Sequence, residues 1–298
     1  MALISSPASI CIIIPTTCET SRWAMLNRAI ASVHTQKNVH VQVLVVVNGV
    51  RFDAEHLKTL KTRSDLSVHY ELVGSLPLAL HIGRSLIDTD FFGFLDDDDV
   101  YLPDALANRL GPMLEDGGVD FVASNGLRRE EGKPDIPFLT DVAGINDNPL
   151  AALNTKNWLS SCGGLYRSAK VLASDIDPEL YYLEWTFLAF KLAGTHRMVF
   201  VDKPTFCIYS TVGSLSKSEA YLLAEPVVLR KILALNLPKS VRQPLQYKLG
   251  RVHHNLAEYA RRTGQLKLAW RHHLASLYFP GGRNYLTYTR YLLTRKKA

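Results

Sequence analysis

Hydrophobic and polar positions alternate between two periods along the first hundred residues. The run Ile10-Cys-Ile-Ile-Ile14, ended by Pro15, is β-branched and continuous, the pattern of a strand buried on both faces. Residues 23–33 carry Leu26, Ala29, Ile30 and Val33 at helical spacing. Residues 41–47 form a second buried strand, closed by the turn pair Asn48-Gly49. A short helix over 55–61, a strand over 68–73, a helix over 78–87 and an apolar strand over 91–95 follow. Strands alternating with helices predict βαβ units and a mostly parallel sheet covered on both faces. Ligands of such sheets bind beyond the carboxyl ends of the strands.

The pattern loosens from about residue 116 to 157, where Gly, Pro, Asn and Asp crowd residues 131–149 into a long loop. Helix returns over 183–192 and strand over 198–201. Beyond Glu219 only helical periodicity remains. Leu245, Leu249, Val252 and Leu256 mark one amphipathic helix, and Leu266, Ala269, Trp270, His273, Leu274 and Leu277 another. Arg262-Thr-Gly264 turns between them, giving a helical hairpin.

The chain has 298 residues, 47% hydrophobic and 21% charged, ample for a buried core and outside the disordered and low-complexity classes. No apolar run reaches the roughly 18–20 residues of a membrane helix, and MALISSPAS lacks the make-up of a secretory signal. Cys11, Cys18, Cys162 and Cys207 are scattered with no CxxC, which predicts reduced thiols in a cytoplasmic protein. The net charge of +6 hides an asymmetry. Residues 220–298 hold 15 Lys+Arg against 2 Asp+Glu (+13), and the remainder 19 against 26 (−7). An acidic front and a basic tail predict two jobs.

The strongest chemical signal is Phe94-Leu95-Asp96-Asp97-Asp98-Asp99-Val100, four carboxylates directly after an apolar strand. In an extended chain Asp96 and Asp98 point one way, Asp97 and Asp99 the other. Two like charges ~4 Å apart at an effective dielectric of ~20 repel by about 4 kcal/mol, so a cation is expected; hard oxygen ligands suit Mn²⁺ or Mg²⁺. The competing reading is a solvated acidic turn before a helix opened by Pro103. The adjacent pairs His253-His254 and His272-His273 read as packing or surface histidines, since neighbours on a helix diverge.

CIIIPTT (11–17), VQVLVVVNGV (41–50) and FLDDDDVYLPDAL (94–106), with YYLEWTFLAFKLAG (181–194), resemble in order the motifs of inverting family 2 glycosyltransferases with the GT-A fold. The resemblance implies an α/β GT-A domain over 1–218 and a basic helical region over 219–298. It implies a nucleoside-diphosphate sugar donor, a UDP-sugar in preference, and a hydroxyl of a glycan or lipid-linked acceptor. Donor-binding residues would be Pro15, Thr16, Asn48, His81, Arg84, Asp96 and Asp97. Asp96 and Asp98 would hold Mn²⁺ or Mg²⁺, and Glu184 would be the base, with Asp177 and Glu179 in reserve. Gly163, Gly164 and Trp185 would face the acceptor, and Ser214, Ser216 and Lys217 the phosphates. The family's usual histidine is absent near Thr211, Val47-Asn48 replaces an acidic pair, and Trp185 stands where the family often has Asp. A sugar-nucleotide pyrophosphorylase is the alternative enzyme, yet residues 16–22 lack its glycine-rich phosphate loop. A non-catalytic binding protein is the alternative from another class. The segment 283–297, which interleaves aromatics with cations, suits an anionic membrane surface at ~1 kcal/mol per Lys or Arg, or an oligomer contact. No nucleic-acid-binding motif accompanies the charge.

Overall fold

The β-branched run near the N-terminus forms β1 (Ser9–Thr16), buried from Ile10 onward. Because successive side chains point to opposite faces, complete burial means that both faces of this strand are covered. The computed structural model describes residues 8–210 and 219–293. It comprises two compact units, Met1–Val212 and Gly213–Ala298.

In the first unit β1 pairs in parallel with β2 (His40–Asn48), which pairs in parallel with β3 (Ser67–Glu71). On its other side β1 pairs in parallel with β4 (Phe91–Phe94). The helices between them are α1 (Trp23–His34), α2 (Ala54–Thr62) and α3 (Leu76–Ser85). Asp53 caps α2 by accepting from the Glu55 and His56 amides, and Ser75 caps α3 by accepting from Leu78. All these elements match the periodicity to within a few residues.

Beyond β4 the chain departs from the plain alternation. β5 (Val100–Tyr101), α4 (Ala105–Glu115), β6 (Phe121–Ser124), β7 (Leu127–Arg129), β8 (Ile136–Pro137) and α5 (Pro149–Ala152) lead to β9 (Gly164–Arg167). β9 runs antiparallel between β4 and β6. Then come α6 (Glu184–Ala193), β10 (Met198–Val201), parallel to β6, and β11 (Phe206–Tyr209). The main sheet has seven strands in the order β10-β6-β9-β4-β1-β2-β3; β5, β11, β7 and β8 make a small second sheet. The carboxyl ends of β1, β2, β4 and β6 and the start of β9 therefore share one edge, and the site residues gather there.

The second unit is helical: α7 (Glu219–Leu233), α8 (Lys239–Arg262), α9 (Leu266–Tyr278), a 3-10 turn (Gly282–Tyr288) and α10 (Thr289–Leu293). The α8–α9 hairpin turns at Gly264, whose φ of 78° suits glycine. The histidine pairs pack internally, as the helical spacing implies. His253 Nδ1 lies 2.9 Å from His272 Nδ1, and Arg230 donates to His253 Nε2 at 3.0 Å. His254 stacks on Tyr285, and His273 bonds Thr289. The four cysteines are free and buried. Among the described residues no helix is long and apolar enough to cross a membrane.

α3 lies flat on β1 and β2 because Gly83 has no side chain. A Cβ there would sit 2.4 Å from Ile13 Cγ2 and 3.3 Å from Val46 Cγ2. Gly83→Ala should therefore destabilise by about 1–3 kcal/mol, although alanine is the better helix former. Urea unfolding measures this; an unchanged or raised midpoint would show that α3 sits looser on the sheet.

Candidate active site

The aspartate run leaves the end of β4 as a turn closed by the Asp99 amide on the Asp96 carbonyl at 3.1 Å, rather than as extended chain. The expected division of the side chains still holds. Asp97 and Asp99 are each 3% exposed, while Asp96 and Asp98 are partly open.

The two buried carboxylates have protein partners. Thr16 Oγ1 donates to Asp97 Oδ2 at 2.5 Å, Arg22 Nε donates to the same oxygen at 2.8 Å, and Arg22 Nη2 bonds Oδ1. The Tyr209 amide donates to Asp99 Oδ1 at 3.0 Å, and the Cys162 thiol lies 3.6 Å from Oδ2. Asp99 thereby ties the turn to β11 and to the loop before β9. Arg28 adds a bond from Nη2 to the Asp98 carbonyl at 2.7 Å and stacks 3.9 Å over the Tyr209 ring.

The two open carboxylates are less well compensated. Burial, then the charges of Asp98, Asp97 and Glu184, push Asp96 up, against a hydrogen bond from Ser161. Burial and Asp97 push Asp98 up, against Arg22, whose Nη2 lies 3.4 Å from Asp98 Oδ2. Burial also raises Asp99 and Glu184. Asp96 thus feels both Asp98, two residues on, and Glu184, from an element far apart in sequence.

Glu184 opens α6. Its entry is strained: Tyr182 and Leu183 take left-handed conformations, φ 66° and 55°, at a cost of about 1–3 kcal/mol each. Trp185 packs its ring 5.3 Å from Phe94, the last residue of β4. A narrow cavity beneath them is lined by Leu80, Phe94, Ile176, Glu184 and Trp185. Asp177 also lines it; Glu179 lies outside it, its amide bonded to the Asp177 carboxylate. A separate open groove of about 590 Å³ runs past Phe138, Asp141, Asn148, Thr155 and Lys156, beside α5, which packs on α6.

Several expected roles need correction. Arg84 is at the opposite edge of the sheet, 8% exposed, bonded to the carbonyls of Ser168 and Val171 and stacked on Phe92. It anchors α3 to the chain after β9 and cannot reach a diphosphate at the aspartates. His81 Nδ1 bonds the Ile176 carbonyl at 3.0 Å, bracing the wall of the Glu184 cavity. Thr16 gives its hydroxyl hydrogen to Asp97, and Asn48 donates to the Thr16 carbonyl at 3.1 Å. Pro15 is fully within β1 and buried. These three fasten the ends of β1 and β2 together, with no polar side-chain hydrogen of Thr16 left for a nucleoside. Asp97 faces the protein and not the cleft.

Gly163 and Gly164 are buried. A Cβ on Gly163 would meet Ser160 Oγ at 2.7 Å, and one on Gly164 the Tyr166 hydroxyl at 2.3 Å. Packing of their own neighbours, not a sugar, requires glycine there. Thr211, Ser214, Ser216 and Lys217 lie outside the described residues. Arg22, Arg28, Ser161 and Tyr209 join the site without having been singled out. The one available signal for the arginines was that four carboxylates need cations and that Arg22 and Arg28 follow the first strand.

No group of three or more His, Cys, Asp or Glu among the described residues forms a ready metal cage. Asp96 and Asp98 offer two hard-oxygen donors on the open side. A divalent cation there would need further oxygens from phosphate and water, a fit that Mg²⁺-type sites commonly use.

A family model described as glycosyl transferase family 2 matches residues 11–170. Among solved structures, residues 1–349 of S. aureus TarS align with a TM-score of 0.58 at 15% identity, covering 87% of this chain and 74% of that one. The same fragment in complex with UDP-GlcNAc gives 0.59 at 15% identity, covering 90% and 80%. Its complex with UDP gives 0.57 at 15% identity, covering 87% and 74%. At such identities the likeness carries the fold alone, which is the expected GT-A arrangement. No curated protein sequence matches the chain.

A carboxylate whose pKa is raised by folding favours the folded state while protonated. Its contribution is present at acid pH and lost as pH rises above its ordinary value, 3.8 for Asp, and through the raised one. Asp98→Asn should therefore raise the ligand-free melting temperature at pH 8 and leave it nearly unchanged at pH 4, by about 2–4 °C for each kcal/mol relieved. Thermal unfolding at the two pH values tests this, and a lower melting temperature at pH 8 would contradict it.

Proposed function

Because the chain belongs to glycosyl transferase family 2, whose model takes in more than half its length, we propose that it moves a sugar from a nucleoside diphosphate to an acceptor hydroxyl with inversion at the anomeric carbon. The observation that carries this reading is the placement of Asp96 and Asp98 at the end of β4 with Glu184 opening α6 beside it, Trp185 packing on Phe94 and Glu184 lining the same cavity as Phe94. The donor we favour is a UDP-sugar, in keeping with the ligands of S. aureus TarS, and the acceptor a glycan or lipid-linked glycan.

Glu184 is the base in this scheme. Burial raises its pKa, against the pull of its own backbone amide at the start of α6, toward the range where a carboxylate accepts a proton usefully. It takes the hydroxyl proton as the acceptor oxygen attacks the anomeric carbon from the face opposite the diphosphate. The bond from that carbon to the diphosphate oxygen breaks, and the electron pair leaves with the nucleoside diphosphate. Asp96 and Asp98 would hold Mn²⁺ or Mg²⁺, which supplies neutralisation of the leaving phosphates. Trp185, packed on Phe94, gives the sugar ring an apolar wall, and the groove beside α5 is where the rest of the acceptor would lie. The basic second unit suits a peripheral contact with an anionic membrane at its cytoplasmic face.

Release of UDP from UDP-sugars in the presence of Mn²⁺ tests the reading; no release with any donor sugar would refute it. Glu184→Gln should keep donor affinity and lose about 10²–10⁴-fold in turnover. In the wild type, turnover should rise with pH through a limb lying above the ordinary glutamate value of 4.5, because the base must be ionised. A profile flat in that range, or turnover retained by the variant, moves the base to another residue. Asp98→Ala should remove the metal-dependent part of donor affinity, read by calorimetry with and without Mn²⁺.

A further inference from the structure

Residues 16–22, between β1 and α1, hold no glycine-rich phosphate loop, yet they end in Arg22, which turns into the aspartate run. Its Nε and Nη2 are bonded to Asp97, and Nη2 lies 3.4 Å from Asp98 Oδ2. Its Nη1 has no protein partner among the described residues, and 32% of the side chain is exposed. Asp98, the neighbour on the open side, is itself 20% exposed. The guanidinium therefore has one edge locked to a buried carboxylate, lies beside the part-exposed Asp98, and keeps Nη1 free of protein partners among the described residues. Arg22 is also the N-cap position of the twelve-residue α1 and makes no side-chain capping bond, so it does not serve the helix end.

Two features make this more than a structural ion pair. A bidentate carboxylate fixes the planar fork in orientation, so its free N–H groups are pre-organised rather than swinging on a long stem. The charge is also permanent, whereas any divalent cation must be recruited. We propose that Arg22 is a donor-binding residue, holding Asp97 with one edge and a phosphate oxygen of the donor's diphosphate with the other. One positive charge is then in place before a metal ion arrives. This rests on the transferase reading and adds to it a site for the diphosphate that is independent of metal. Asp97 is its positioning partner: it fixes the guanidinium and touches no substrate.

Removing Arg22 alone strands a buried carboxylate, so the test uses four full-length proteins: wild type, Arg22→Gln, Asp97→Asn and the double variant. Binding of UDP and of inorganic pyrophosphate is measured by calorimetry in EDTA and in Mn²⁺. In EDTA the wild type binds both probes, and Arg22→Gln loses at least tenfold in affinity. Asp97→Asn, which leaves the guanidinium charged but less firmly oriented, binds with an affinity between those of wild type and Arg22→Gln. The double variant is as weak as Arg22→Gln. Where Arg22→Gln does not fold, the comparison of Asp97→Asn with the double variant carries the test, since neither leaves a buried charge unpaired and they differ only at Arg22. A merely structural pair makes both single variants equally weak and restores binding in the double; that pattern overturns the proposal. So does equal affinity of Asp97→Asn and the double variant, or wild-type binding that requires Mn²⁺. Wild type that binds neither probe in either buffer removes the donor reading itself.

Discussion

Four adjacent carboxylates in one turn repel each other, and the arrangement of the first unit follows from how that repulsion is met. A neighbouring pair costs about 4 kcal/mol at ~4 Å and an effective dielectric of ~20. The fold handles the two halves of the run differently. Asp97 receives a hydroxyl and a bidentate guanidinium, and Asp99 a backbone amide and a thiol. Asp96 and Asp98 receive fewer protein partners and stay partly open, and burial raises their pKa as it does that of Asp99. The compensated pair staples β1, β11 and the loop before β9 to the turn. The uncompensated pair keeps charge in reserve for whatever enters the cleft. Removing Arg22 would strand the buried Asp97 carboxylate, a loss of about 3–5 kcal/mol in comparable cases.

Most of the backbone strain collects at the same edge of the sheet. Of the five non-glycine residues with positive φ among the described residues, Cys18 follows β1, Asp104 follows the aspartates, and Tyr182 and Leu183 precede Glu184; the fifth, Asn38, precedes β2. Such conformations persist only where surrounding contacts over-determine them. At Cys18 the contacts are a bond from its amide to Thr16 Oγ1 and one from the Asp53 amide to its carbonyl. At Leu183 it is the first bond of α6, from Phe187. Most of the strain and the incompletely relieved charge thus lie toward one edge of the sheet, where local stability is given up.

The first half of the fold was legible because it repeats one unit. Ile10 to Ile14, Val41 to Val47 and Phe91 to Leu95 are dense apolar runs, and the helices between them keep a clean 3.6 period. β6, β9 and β11 were not legible. β6 follows a glycine pair, β9 begins within one and β11 follows a proline, stretches that read as loops, whereas the equally short β4 and β10 were legible as apolar runs. At the candidate site, the aspartates at a strand end and Glu184 at a helix start stand where the local pattern put them. Arg84 was misjudged because the helix face it occupies, and the sheet edge it reaches, depend on where the chain after β9 returns. Gly163 and Gly164 invited a substrate explanation, while Tyr166, two residues on, was already filling the space.

The second unit shows the same logic with the opposite sign. Its charge of +13 comes from Lys and Arg alone, so the four histidines decide whether that charge varies with pH. Burial lowers the pKa of all four, and cationic neighbours add to the effect at His253 and His272, where Arg230 and Arg271 repel a further proton. The Arg230 bond makes His253 Nε2 an acceptor, which leaves its proton on Nδ1, directed at His272 Nδ1. The chain Arg230–His253–His272 is thus satisfied with both rings neutral and would be broken by protonating either. The unit therefore carries a positive charge near neutral pH that varies little with acidity, so that any attraction of it to anions responds to salt rather than to pH.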